Sequence, residues 1–462
     1  MSTPSSTAGK PSLQKVLGLS SLFVAAMGGV ASQGSFVAIL NGAGTGGASF
    51  FIALVLAGIL MFSYTFSYLE LSLMMPKAGG PGTYATVAIG HFPAIILVLG
   101  GYFAAAVFGA IVELTLVERV LDTIFPGLFS HIGLILLALL TILNLLGINI
   151  FSSVQNMIVY VLLIAAFLIG FTALNGDTAK GITPPFFWQQ LIHTNGSVFS
   201  LTVLALWAFA GLEYVCPLLE EAKRPEKNLP KAMLIAAAML IIVYGLIAFA
   251  GMRQVPAGVL ATSEVPHWLL VHALFEKAGG LVIVVFAIST TSSTANAVIA
   301  SIPRMLYGMA HHKQLPQIFK KIHPRWDTPW FGILFFFTLI AVPLIILGKE
   351  PGYIFVLIIS ATTLWLIAYI IAHINVMVLR KKYPAFKRPF KTPLFPFFQI
   401  VGVIGMCYAI WNNSPSPDMT TKIYLNTGII IGIIALYAYF WVKFKMKKGL
   451  FSIEPIDEAI TD

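Results

Sequence analysis

Charged residues are scarce in this chain: Asp, Glu, Lys and Arg make up 10% of its 462 residues, where a soluble domain carries about 25%. That shortage excludes a water-facing surface over most of the molecule. Cysteine is scarcer still, with only Cys216 and Cys407, both inside apolar stretches. Two such residues exclude a disulfide framework and read as small buried hydrophobes. A Walker-type phosphate loop is missing, so any transport must be driven by a gradient or be passive. The H-E-x-x-H pairing, intramembrane aspartate pairs and Ser-His arrangements of membrane enzymes are missing as well, which argues against an enzyme. His311 and His312 have no third ligand near them in sequence, too few for a metal centre. Nor is any connection long enough to bury its own core; the longest outside ones are about 121–130, 175–196 and 253–278.

What fills the chain instead is hydrophobic, at 58% of residues and a mean hydropathy of +0.89. Twelve apolar stretches stand out, at about 16–40, 47–75, 92–120, 131–148, 152–174, 197–219, 232–252, 279–309, 330–348, 352–379, 394–411 and 423–443. About twenty helical residues cross a hydrocarbon core, so each is of spanning length. A β-barrel would show short alternating segments. The expectation is an all-α polytopic membrane protein with twelve transmembrane helices. The leading "MSTPSSTAGKPSLQK" is polar and reads as disordered over residues 1–15. No small-residue cleavage site follows the first apolar stretch, so a removable signal peptide is not expected.

The net charge of +10 raises the question of nucleic acid, and its placement answers it. Counting loops from a cytoplasmic N-terminus, all but six of the 28 Lys and Arg fall on the cytoplasmic side; the six are Arg119, Lys180, Arg253, Lys277, Lys349 and Lys422. This is the positive-inside pattern. It predicts an integral protein of the cell (inner) membrane with both termini cytoplasmic, and it assigns the excess charge to anionic lipid heads. The expected partners are the lipid bilayer and a small molecule, with no nucleic acid; oligomeric state is not legible.

Two spans are weakened at their middles. Span one carries "GGVASQGSF", Gly28–Phe36, and span six carries "WAFAGLEYVCP", Trp207–Pro217. Each interior Gly costs a helix about 1 kcal/mol relative to Ala. Small residues also permit close helix packing in membranes, but matching interruptions in two halves of a chain point to an inverted-repeat transporter with a midplane site. An unwound turn exposes N–H and C=O groups that must be satisfied. Half-helix N-termini favour a carboxylate, and free carbonyls favour an ammonium or metal cation.

Five further segments occur in order: "LELSLMMPKAGGPGTY" (69–84), "LNLLGINIFSSVQN" (143–156), "FAGLEYVCPLLEEAKRPEKNLPKA" (209–232), "STANAVIASIPRMLYGMAHHKQLPQIFKKIHPRWDTPW" (293–330) and "KRPFKTPLFP" (387–396). Together they resemble the amino acid–polyamine–organocation superfamily of secondary transporters over nearly the whole chain. The resemblance implies the leucine-transporter-type fold, with spans 1–5 and 6–10 as inverted repeats and spans 1 and 6 broken. It divides the chain into a transport core at 16–379, spans 11 and 12 with their basic loop at 380–447, and a cytoplasmic tail at 448–462. It also implies alternating access carrying an amino acid or related small amine, as a symporter or exchanger. A channel, or a sensor that kept the fold without turnover, is the alternative reading.

The candidate substrate residues are Ser32, Gln33, Gly34 and Ser35 in span one, Trp207, Phe209, Ala210, Gly211 and Tyr214 in span six, and Glu113 in span three. Where the family reads Gly-Ser-Gly-Ile-Phe, this chain reads Ser32 to Phe36, and the Gln33 amide stands where a small residue is usual. It could occupy part of the carboxylate or amine pocket. Glu213 matches the family's acidic position, and a carboxylate inside a membrane is expensive unless paired or functional; it reads either as a proton carrier or as a structural acceptor. Phe209, immediately before the break, is the expected gate. Glu113 could pair with a substrate ammonium, with Arg119 or with another helix. Glu70 reads as structural or gate-forming, and Arg304 either snorkels or pairs with a gate carboxylate.

Coupling has two candidates, H+ and Na+. The run "ISTTSSTAN" (288–296) puts Ser289, Ser292, Ser293 and Asn296 on one helical face. Sodium-coupled relatives hold an ion between such hydroxyls and span-one carbonyls, so Gly29, Val30, Ser289, Ser292 and Ser293 form a candidate sodium site of oxygen ligands. The alternative is hydrogen bonding between helices. Some proton-coupled relatives place a span-five lysine there; here the matching position reads as Leu162.

Overall fold

The computed structural model describes residues 15–177, 197–347, 353–413 and 417–460, and the expected disorder of 1–15 falls almost wholly outside them. Among the described residues no strand forms; the sole bridge pairs Leu17 with Ala222. The principal helices are α1 (Leu19–Val30), α2 (Gln33–Gly46), α3 (Ser49–Met74), α4 (His91–Ile124), α5 (Ile132–Leu145), α6 (Ile148–Asn175), α7 (Ser197–Phe209), α8 (Pro225–Gln254), α9 (Pro266–Phe275), α10 (Gly279–His311), α11 (Trp330–Leu347), α12 (Tyr353–Lys382), α13 (Phe397–Trp411) and α14 (Pro417–Phe440).

The twelve expected spans reduce to eight by length and composition, or nine when the bent pair α1–α2 counts as one. Three shorter apolar helices, α5, α11 and α13, stand at the places of the fourth, ninth and eleventh expected spans. They fall short in length, since their helical stretches are shorter than the apolar sequence around them.

The first span is broken as expected. α1 and α2 meet at 55°. Ser32 sits in extended conformation between them, and its hydroxyl accepts from Ser35 N at 3.0 Å, the ordinary Ser N-cap. The second interruption differs from the expectation. α7 ends at Phe209, Gly211 takes φ +122°, and the chain continues as a 3-10 segment, Leu212–Glu221, with Pro217 inside it. The change of helix type replaces a sharp bend; among the described helix pairs that are together long and apolar enough to cross a membrane, only α1–α2 bends by more than 40°.

Both ends of the described chain meet one face. Val16 and Leu17 donate their N–H groups to the Glu221 carbonyl at 2.9 and 2.8 Å, and Lys223 N donates to the Leu17 carbonyl at 2.8 Å. The tail returns to the same place: Phe92 N donates to the Leu450 carbonyl at 3.0 Å, and Glu454 lies 2.8 Å from His312 Nδ1. Burial pushes the Glu454 carboxyl up, but the His312 hydrogen bond and the charges of His312, His91 and Lys448 outweigh it and hold the group below its ordinary value. Glu70, one turn before the end of α3 on this side, accepts from Arg380 Nε at 2.8 Å and Nη2 at 2.7 Å and from Thr392 N at 2.7 Å. Its role here is to tie α3 to the loop that leads into α13. We call this the basic face, since the loops carrying Lys77, Lys223, Arg224 and Lys320 lie on it.

The basic face is sealed beneath the broken helices. Arg304 of α10 clasps Glu221 through Nε at 2.5 Å and Nη2 at 2.9 Å, and donates from Nη1 to the Ala300 carbonyl at 2.6 Å. The two side chains are 3% and 1% exposed. Of the two readings of Arg304, pairing is the one realised. At the opposite face the connection 253–278 folds into a short helix Ala257–Thr262 and then α9. Asn41 Nδ2 of α2 pins it by reaching the carbonyls of Leu260, Ala261 and Ser263 at 2.9–3.1 Å.

Candidate functional site

Two cavities flank Trp207. The larger, about 340 Å³, is a vestibule at the face opposite the basic one, bordered by Asn41, Thr45, Glu264 and Asn413. The smaller, about 20 Å³, is a chamber between the broken helices and α4. Trp207 lines both. A cavity needs roughly 10–15 Å³ to hold one water, so the chamber admits a water-sized group and nothing larger in this conformation.

The sequence-derived residues divide cleanly between chamber and surroundings. Gly29, Val30, Ser32, Ser35, Glu113, Trp207, Ala210 and Tyr214 line the chamber. Gln33, Gly34, Phe209, Gly211 and Glu213 do not. Phe209, the expected gate, is buried against the Tyr244 ring at 5.4 Å, and its carbonyl accepts from the Tyr64 hydroxyl. Trp207, two residues earlier, is the ring that separates chamber from vestibule. Gly211 and Gly29 serve by being small: a Cβ on Gly211 would collide with the Gly29 carbonyl oxygen, and one on Gly29 would stand 2.7 Å from the Gly211 carbonyl oxygen, so the two broken helices touch through bare backbone.

Gln33 points away from the chamber. Its side-chain nitrogen lies 2.9 Å from His267 Nε2 on α9, and its oxygen lies 3.0 Å from the Thr291 hydroxyl on α10. The bulky amide therefore occupies no part of the chamber. Its backbone is what faces the site. Gln33 N donates to Glu113 Oε2 and Gly34 N to Glu113 Oε1, each at 2.8 Å. Glu113 thus caps α2 from a different helix, its two oxygens on the two leading N–H groups, where the helix dipole favours negative charge. Arg119, the alternative partner on its own helix, pairs with Glu264 instead.

The remaining unwound backbone is also satisfied from within. The Val30 carbonyl accepts from Ser35 Oγ at 2.9 Å and Tyr244 OH at 3.2 Å, and the Gly28 carbonyl accepts from Thr294 Oγ1 at 3.0 Å. Gly211 N donates to Tyr369 OH at 3.1 Å, and that hydroxyl donates to Glu213 Oε1 at 2.9 Å. Glu213 lies behind the chamber among buried tyrosines, its Oε2 without a partner.

Three of the five candidate sodium ligands, Val30, Ser289 and Ser293, are engaged within the protein. Ser289 Oγ donates to the Phe286 carbonyl of its own helix, and Val30 O already carries three hydrogen bonds, from Ser32 N at 2.8 Å, Ser35 Oγ and Tyr244 OH. Ser293 is held by Gln155 of α6, whose side-chain nitrogen lies 3.1 Å from Ser293 O, 3.2 Å from Ser293 Oγ and 3.4 Å from Val24 O. A neutral amide with two N–H groups sits among the oxygens that a cation would need, so this donor set does not fit sodium as arranged. Leu162, the expected match to a coupling lysine, is simply buried. Replacing sodium with a large organic cation at fixed pH is therefore expected to leave initial transport rates unchanged, and a sodium requirement abolished by Ser293→Ala would contradict the arrangement.

Three chamber-lining features, and Gln155 beside the candidate sodium ligands, escaped sequence reasoning. Ala106, Gly109 and Ala110 on α4 form a stripe of small residues one turn before Glu113, a signal legible at helical spacing. Thr294 and Val298 sit one turn apart on α10, and Trp365 comes from α12, with nothing local to mark it. Gln155 was visible only as part of a motif. Among the described residues no group of three or more His, Cys, Asp or Glu is placed to hold a metal.

Comparison with known proteins follows the same line. A family profile described as "Amino acid permease" matches residues 17–436. The "Serine/threonine exchanger SteT" of Bacillus subtilis (strain 168) is 28% identical, covering 93% of this chain and 97% of its own. The "Branched-chain amino acid permease BcaP" of the same organism is 25% identical, covering 94% of each. Among solved structures, a manganese transporter of Eremococcus coleocola superposes with a TM-score of 0.60 at 12% identity, over 95% of this chain and 98% of that one. At that identity the likeness establishes the fold alone.

Proposed function

The chain belongs to the amino acid permease family, and on that premise we propose that it works by alternating access around the chamber between the two interrupted spans. As a member of this family it is a secondary transporter of amino acids or related small amines, and not an enzyme. The observation that carries the proposal is the asymmetry of closure. The vestibule reaches Trp207 from one face, while Arg304, Glu221 and the segment at Leu17 close the other. One open side, one sealed side and a small site between are what a carrier needs and a continuous pore lacks.

The finer assignments belong to the same reading. Twelve spans follow if the short apolar helices α5, α11 and α13 cross together with the longer ones. Spans 1–5 and 6–10 then form the inverted repeats, with α1–α2 and α7 plus its 3-10 extension as the corresponding interrupted members. The basic face is cytoplasmic by its Lys and Arg content, so the conformation described is closed to the cytoplasm. Trp207 is the outer gate, the rings of Tyr214 and Trp365 border the bound group, and Glu213 is the carboxylate available for proton coupling.

Counterflow tests this directly. In liposomes loaded with a substrate, addition of a trace of labelled substrate outside is expected to give transient accumulation that saturates with concentration. Conductive flux without accumulation would establish a channel and overturn the carrier reading.

A further inference from the structure

Glu113 has a consequence for what the chamber can hold. The first two N–H groups of α2 are the strongest anion-binding groups in the site, and both are already taken, at 2.8 Å each, by a carboxylate of the protein itself. Further groups that could greet an anion are also engaged: Ser35 N bonds Ser32 Oγ, the Ser32 and Ser35 hydroxyls lie 2.9 Å apart, and Gly211 N bonds Tyr369. What faces the chamber is a carboxylate flanked by rings. Trp207 and Trp365 stand with centroids 5.5 Å apart and Tyr214 and Trp365 6.2 Å apart, all three lining the space with Glu113. A carboxylate with aromatic faces around a water-sized space is a site for a cation.

A second observation points at a ligand independently. Trp207 Nε1 is buried and has no hydrogen-bond partner. It lies 3.3 Å from the point where a side chain on Gly34 would begin, and Glu113 Oε1 lies 2.8 Å from the same point. An unmet indole donor therefore sits beside the carboxylate, at the wall between chamber and vestibule. An ammonium group placed against Glu113 can carry a hydroxyl or ether oxygen outward to accept from this N–H, with the rest of the molecule in the roomier vestibule.

We propose that Glu113 supplies from within the carboxylate that an amino acid would otherwise bring to α2, so that the preferred substrate is a small primary amine lacking an α-carboxylate. The inference rests on the carrier reading above and narrows its substrate class. An amino acid would bring a second negative charge to a chamber whose helix N-terminal donors are already spent on Glu113. Its carboxylate would have to displace Glu113 and leave that group buried and unpaired, which is costly.

Matched pairs differing only by the carboxylate test the idea on the purified full-length protein: ethanolamine against serine, isoamylamine against leucine, putrescine against ornithine. Binding is read by thermal shift, since a ligand of the folded state raises its apparent stability. In the best pair the amine is expected to bind about tenfold or more tighter than its amino acid. Glu113→Gln is expected to abolish or reverse that preference and Glu113→Asp to keep it. Equal or tighter binding of the amino acid across the pairs overturns the inference while leaving the carrier reading intact. A preference for amines that survives Glu113→Gln overturns the assignment to Glu113. Binding of no member of any pair overturns both this inference and the reading it rests on. The wild-type comparison decides the substrate class even where a variant fails to fold.

Discussion

Arg304→Ala opens the basic face: this is the largest conformational effect expected from any single substitution. The Arg304–Glu221 pair is bidentate and almost fully enclosed. Removing one partner of such a pair leaves a buried charge and costs about 3–5 kcal/mol. The cost falls on the closed conformation alone if opening lets water reach Glu221. A bias of that size shifts a two-state equilibrium by about a hundredfold or more. Cys216 reports it, because it is fully buried between the chamber and Glu221, whereas Cys407 is exposed. In a Cys407→Ser background, alkylation of Cys216 is expected to be negligible in the parent and rapid after Arg304→Ala. Adding Glu221→Ala is expected to restore part of the protection by removing the orphaned charge. Unchanged alkylation with full transport would show that the pair does not hold the seal.

Gly211→Ala is expected to stop transport. Gly211 has φ +122°, a conformation L side chains rarely adopt, and a Cβ there would meet the Gly29 carbonyl. The backbone strain alone costs of order 1–3 kcal/mol. The collision adds to it where the two interrupted spans touch and where each must slide during the cycle. A fall in counterflow of about a hundredfold or more, per mole of folded protein, corresponds to the upper end of that strain. Gly245→Ala is the companion measurement, since nothing lies within 4 Å of the position its Cβ would take. Its transport rate is expected to match the parent. Equal activity in Gly211→Ala would mean the two backbones part more widely than their contact implies.

Much of this architecture was legible in the sequence, for physical reasons that also mark where legibility ended. Spanning helices announce themselves by length and apolarity, and the Gly28–Phe36 interruption by residues that unwind helices. Distance along the chain hid the rest. Glu113 could be recognised as costly but not assigned, because its partners lie 80 and 79 residues away. Gln33 stood out as too large for a ligand pocket, and only the packing of α9 and α10 shows its amide turned outward. Phe209 and Trp207 are two residues apart in a helix, so they face different ways, and the break alone does not say which faces the cavity. The helices within 253–278 were not assigned from sequence because they are too short for a periodic pattern to emerge. In each case the missing information was a tertiary neighbour.

Trp207 has one more property, which follows from its double membership. A single indole forms the partition between a room of about 340 Å³ and a niche of about 20 Å³. Rooms of the larger size accommodate drug-like molecules. An impermeant compound lodged there would press on the partition from outside and hold the niche shut without entering it. Such a blocker would owe nothing chemically to the cargo, and its occupancy could be read in the emission of the ring it leans on.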